Sequence, residues 1–276
     1  MISILRAKAS QIGRESVIVI FALVMMLLLP AVISGEVRSA IAPLPPAALL
    51  RPNESLTYSV SWSNIITAGI AVLKVGDEKL PEGRSALSFV ITGHSTGIVE
   101  KLYHVHDMAR SIFDPLIGQS LSYKVKEVYG SKLRRRELTF DSAHGTVISK
   151  LNDDATETLP VPVHVLDPLS ALYVIRMMDN FTVGKSTVLS VFESGKNWSV
   201  EIQVLGKEKV KTPAGEFDAI KLRTYPRYEG VFLNKGVVFL WLSDDNRKIP
   251  LLIKSSLKVG SFVLTLTERK LGGEVR

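Results

Sequence analysis

His104 and His106 stand two residues apart, a spacing that on a strand turns both side chains to one face, where they could chelate a metal ion. A site needs further ligands, and the sequence brings none of His94, His144 or His164 toward them. Asp107 and Asp114 are of the residue type that works in pairs on glycosidic bonds, but their separation along the chain fixes no distance in space. Lys132, Arg134 and Arg136 fall on one face of a strand, with Leu133, Arg135 and Glu137 on the other. That row of cations suits anionic head groups, or else forms a charged outer face or edge strand.

Motifs for covalent or nucleotide chemistry are missing. No G-x-S-x-G elbow, phosphate loop or G-x-G-x-x-G occurs; Val183-Gly184-Lys185-Ser186 ends like a phosphate loop but lacks the upstream glycine. The chain has no cysteine, which excludes disulfides, thiol chemistry, Cys-based zinc sites and lipid attachment to Cys. The expectation is a protein without catalytic residues, metal or cofactor.

The 276 residues are 46% hydrophobic and 22% charged, enough apolar material for a sizeable core. Of the formal charge of +7, Arg6, Lys8, Arg14 and Glu15 contribute +2. They precede the apolar run Val17–Ile33, 17 residues that would span about 26 Å as a helix. Basic residues before an apolar run are the layout of a secretory signal or signal anchor, at the short limit for spanning. Residues 1–34 are read as that segment, cleaved or retained. The N-terminus then engages the inner membrane at least during export, and the remainder is placed in the periplasm or cell envelope.

Residues 35–52 read as a linker containing the Pro-rich stretch PLPPAALLRP. From Asn53 the period is two. Leu56, Tyr58, Val60 and Trp62 alternate with serine and threonine; Leu87, Phe89 and Ile91 repeat the pattern, as do Leu121, Tyr123 and Val125, then 133–140 and Trp198 to Val204. Further strand-like runs follow at 216–225, 237–243, 250–258 and 261–268. Asp167-Pro168 opens one helix, to about residue 179, that could plug the sheet or connect two halves. Thr212-Pro213-Ala214-Gly215 and Asp244-Asp245-Asn246-Arg247 read as chain reversals. The fold class is therefore all-β, mainly antiparallel, as a curved sheet or partly open barrel over residues 53–270, followed by a tail at 271–276.

Several of these segments occur in a recognisable order. They are Glu54-Ser-Leu-Thr-Tyr58, Ala68-Gly69, Asp107 with Ser111-Ile-Phe-Asp114, and Asp167-Pro-Leu-Ser-Ala-Leu-Tyr173 with Arg176. Val210 to Phe217 and Trp241 to Pro250 follow. In this order they resemble the DUF3108 family over roughly residues 53–269, which implies a β-rich envelope domain and supplies no catalytic residues. The 239–252 hairpin is also similar in style to those of LolA/LolB-type lipoprotein carriers.

The reading that follows is a non-enzymatic binding or carrier module, its apolar wall built from Trp62, Phe89, Trp198, Phe239 and Trp241, holding a lipid, a lipoprotein or another amphiphile. The alternative is a structural or interaction protein with a solid core, bound to an envelope partner. Export separates either from nucleic acid.

Overall fold

The computed structural model describes residues 50, 52–62, 66–81, 83–102, 104–228, 231–232, 237–257 and 260–272; the leader and most of the linker lie outside them. Alternation decides the elements. In β1 (Ser55–Trp62) Leu56, Tyr58 and Val60 are buried and the residues between them are not. β2 (Ile66–Lys79), β3 (Ser85–Ser95), β4 (Val105–Asp114), β5 (Gln119–Tyr129), β6 (Lys132–Asp141), β7 (Thr146–Leu151) and β8 (Glu157–Pro160) continue as an antiparallel meander. The short helix α1 (Gly97–Leu102) interrupts it between β3 and β4.

After helix α2 (Pro168–Met177) come β9 (Ser186–Glu193), β10 (Lys196–Thr212), β11 (Gly215–Tyr228), β12 (Val231–Phe232), β13 (Val238–Ser243), β14 (Pro250–Leu257) and β15 (Gly260–Lys270). The two runs join where β1 pairs with β15. The order is β8-β7-β6-β5-β4-β3-β2-β1-β15-β14-β13-β11-β10-β9, antiparallel throughout, with β12 beside β11. Both expected reversals are present. Thr212 pairs with Gly215 across the β10–β11 turn, and the Asp245 carboxylate collects the amides of Arg247 and Lys248.

The sheet does not close by strand pairing, because β8 and β9 remain at the two ends of the path. The segment between β8 and α2 fills the seam. Ser120 N–H donates to Val165 O, Leu166 bridges Val191 in parallel, and the Asn197 side chain donates to Pro160 O. The molecule is thus a partly open barrel, its edges covered by its own chain.

α2 supplies the interior. All of its residues except Leu172 are buried, as expected for a helix surrounded by protein rather than lying on a surface. Phe89 of β3 stacks on Tyr173 at 4.0 Å between ring centroids, and one continuous apolar core runs from β1 through α2 to β15. Of the two roles open to the helix, it takes that of plug.

Candidate functional site

Both ends of α2 are held by buried polar groups. Asp167 is the N-cap: one carboxylate oxygen accepts from Leu169 N–H (2.9 Å) and Ser170 N–H (3.0 Å), the other from Ser111 Oγ (2.5 Å) and Ser120 Oγ (2.6 Å). Burial raises its pKa while the Ser111 and Ser120 hydroxyls oppose the rise. At the other end Arg176 is fully buried. It donates to both oxygens of Glu54 (2.7 and 2.9 Å), to Lys248 O (3.0 Å) and to Arg247 O (3.2 Å). Tyr58 Oη donates to Pro250 O beside them. These groups are satisfied by one another and hold the plug in place.

A second buried cluster is less complete. Asp107 on β4 faces Glu127 on β5 in register, at 2% and 4% exposure. Arg134 of β6 approaches Glu127 at 3.9 Å, and Arg136 pairs with Glu193 of β9 across the seam. Three carboxylates thus meet two guanidiniums, one positive charge short of neutrality. Asp107 Oδ2, Glu127 Oε1, Glu193 Oε2 and Tyr123 Oη have no hydrogen-bond partner among the described residues. Burial, reinforced by Glu127, raises Asp107 to about 7. Burial also raises Glu127 to about 7, against the pull of Arg134 and Arg136. Such groups hold a proton near neutrality, yet their burial keeps a polymeric substrate from reaching them.

The two carboxylates singled out in the sequence do not meet. Asp114 lies at the far end of β4 from Asp107, paired with Arg84 at 2.7 Å. Seven residues of strand are about 23 Å, far beyond the spacing of a glycosidase pair. Asp107 instead meets Glu127, and the signal for that was phase: both occupy apolar positions of their strands, in step with Ala109 and Val125.

The aromatic residues divide. Phe89 and Trp198 lie in the core, with the Trp198 indole N–H donating to Glu193 O, and Trp62 is half-buried at the end of β1. Phe239, half-buried, and Trp241, buried at 8% exposure, turn to the face opposite Leu240 and Leu242. There Lys221 lies over Trp241 at 5.0 Å and Arg223 over Phe239 at 5.5 Å. Trp241 Nε1 donates to Glu208 Oε1 at 2.5 Å, which lowers the Glu208 pKa.

The cationic row divides as well. Only Lys132 is exposed; Arg134 and Arg136 turn inward, in step with Leu138 and Phe140, to carboxylate partners.

His94 lies opposite His106 (ring centroids 5.7 Å), and His104 stands 5.9 Å from His106, with Nδ1 of His104 engaged by Glu100 of α1. Among the described residues no group of three or more His, Cys, Asp or Glu is arranged to hold a metal. An apolar pocket lies beneath α1, lined by Val60, Ala68, His94, Val99 and Val105. Gly69 borders it, and a Cβ there would collide with the His94 carbonyl oxygen, so the close approach of β2 and β3 at this end requires glycine.

Residues 57–267 match a family described as a protein of unknown function, DUF3108. This chain belongs to the DUF3108 family. The DUF3108 chain matches no curated protein. Among solved structures it is similar to a β-barrel-like protein of the DUF1849 domain from Brucella abortus. That match has a TM-score of 0.54 and 11% identity, covering 80% of this chain and 98% of the other. The likeness extends to the fold, a barrel-like antiparallel sheet. Weaker matches are a protein described as exported, with a YmcC-like fold, from Bacteroides fragilis (TM-score 0.32, 13% identity, 83% and 100% covered) and one described as a lipoprotein from Parabacteroides distasonis (TM-score 0.37, 12% identity, 80% and 98% covered).

Proposed function

We propose that this DUF3108 domain is a non-enzymatic module of the cell envelope that works through its surface, with a solid interior. The observation that carries this reading is the position of α2. The space a carrier would give to an acyl chain is filled by a helix whose Asp167 and Arg176 are locked by buried hydrogen bonds. Expelling that helix would carry Arg176 away and leave Glu54 as an unpaired buried charge, at a cost of several kcal/mol. The basic segment and apolar run at residues 6–33 support delivery across a membrane.

Native mass spectrometry of the full chain after gentle extraction tests the solid interior. A clean apo mass, with no stoichiometric uptake of a fluorescent acyl analogue, is expected; a co-purifying lipid in one-to-one ratio overturns it.

The apolar pocket beneath α1, about 40 Å³, gives a second reading, a carrier that grips only the tip of an apolar group at that end of the barrel rather than a whole chain in its centre. Val60→Trp, which fills the pocket, abolishes uptake of the acyl analogue under that reading and changes nothing under the first.

A further inference from the structure

Arg84, Arg110, Arg134, Arg136 and Arg227 each face a carboxylate. Arg223 does not. Its guanidinium lies over the Tyr225 ring at 4.3 Å and the Phe239 ring at 5.5 Å, and its Nε meets no acceptor among the described residues. A guanidinium stacked on aromatic rings keeps its charge and its donors while losing little freedom on meeting an anion, which is the usual preparation of arginine for phosphate.

Register extends the arrangement across the sheet. Arg223 of β11 lies beside Phe239 of β13, and Phe239 beside Lys254 of β14, all on the outer face. Lys254 has no ion-pair partner among the described residues. Phe239 is half-buried, with one unneutralised cation about 5 Å to either side at the level of the backbone. The neighbouring row adds Trp241 and Leu252, while Lys221 is already engaged by Glu208. A half-buried phenylalanine flanked by two cations without a carboxylate partner among the described residues forms a surface rather than a cavity. It matches the boundary where phosphates lie above hydrocarbon.

We infer that the outer row Arg223–Phe239–Lys254, with Trp241 beside it, docks the domain onto an anionic phospholipid surface. Charge complementarity selects the occupant: Arg223 and Lys254, which meet no carboxylate among the described residues, take phosphates, and Phe239 between them takes the interfacial layer. The reach of the chain agrees, since residues 34–49 between the apolar run and the buried Leu50 extend at most about 55 Å. The inference rests on the envelope location proposed above. The solid interior is a separate matter, and a cytosolic location found by fractionation would be distinguishable from failure on vesicles.

The chain has no cysteine, so a single introduced one carries a label cleanly. Thr265→Cys, beside Leu252 on the same face, and Lys150→Cys, exposed on β7, receive an environment-sensitive fluorophore in the full chain. The vesicles are phosphatidylcholine alone or mixed with phosphatidylglycerol, with a nitroxide-bearing lipid as quencher. The expected result is quenching at residue 265 and not at residue 150, only with phosphatidylglycerol, weakened by salt. Arg223→Ser with Lys254→Ser should reduce the apparent affinity roughly thirtyfold while the far-UV circular dichroism stays unchanged. Equal quenching on both vesicle types, equal quenching at both labels, or persistence in the double variant overturns the proposal. So does protection of the label by soluble inositol phosphate with no response to vesicles.

Discussion

Arg176 and Glu54 are 122 residues apart in the chain and meet as a two-bonded ion pair inside the barrel, at 2.7 and 2.9 Å. The pair ties the C-terminal end of α2 to the start of β1, and the remaining guanidinium donors reach the β13–β14 turn. Three separate parts of the chain converge on one side chain.

Removing one partner should therefore be severe. Glu54→Ala is expected to cost about 3–5 kcal/mol, because it strands a buried guanidinium, whereas replacing the pair by Glu54→Leu with Arg176→Met should cost much less. Urea unfolding followed by circular dichroism measures both, and equal losses would mean that the charges act independently.

The Asp107–Glu127 cluster should make stability depend on pH. Both carboxyls are raised from their ordinary values near 4 to about 7 in the folded protein, so the folded state holds more protons than the unfolded one between those values. Stability then falls as pH rises through that window, by about 1.4 kcal/mol for each pH unit over which one carboxyl is protonated only in the folded state, and levels off above it. Asp107→Asn should flatten the profile of melting temperature against pH. An unchanged slope would show that the proton is held elsewhere.

The tryptophans should separate by position. Trp198→Ala removes a core side chain and is expected to cost about 3–5 kcal/mol. Trp241→Phe on the outer face should cost under about 1.5 kcal/mol, since it keeps the ring stacked by Lys221 and loses mainly the bond to Glu208. Thermal melts of the two variants give the comparison.

Gly69 offers a backbone test. Gly69→Ala pushes a methyl into the His94 carbonyl, with an expected loss of about 2 kcal/mol or more. Gly76, on the same strand with only ordinary van der Waals contact around its hypothetical Cβ, is the matched control and should lose less.

Much of this fold can be read in the sequence because its strands alternate cleanly. Leu56, Tyr58 and Val60 fix the buried face of β1, Asp167-Pro168 marks the start of α2, and Thr212 to Gly215 marks the longest hairpin. β13 is different. It reads Val-Phe-Leu-Trp-Leu-Ser, apolar at five successive positions, so period alone cannot say whether Phe239 and Trp241 face in or out. Their cross-strand neighbours Arg223 and Lys221 decide it, and those pairings belong to the tertiary structure. α1 has six residues, too few for a helical period. The charge cluster was legible only as isolated oddities, Asp107, Glu127 and Arg136 each in the apolar phase of a strand. Which of them meet depends on register, and for Glu193 on how the seam comes together. The packing of α2 inside the barrel, rather than between two halves, likewise rests on contacts with β3, β4 and β9 that no local pattern encodes.

The pairing of β1 with β15 has a consequence for how the molecule comes into being. A polypeptide produced from its N-terminus offers β1 a neighbour at once in β2, but its other side waits for a strand some two hundred residues later. Throughout that interval the half-made sheet carries a hydrogen-bonding border able to recruit another copy. Completion is a late, non-local event, slow by the entropy of so large a loop. A stall in synthesis before residue 260 would therefore leave a species prone to aggregate, and a holdase that covers β1 would be of most use at that moment.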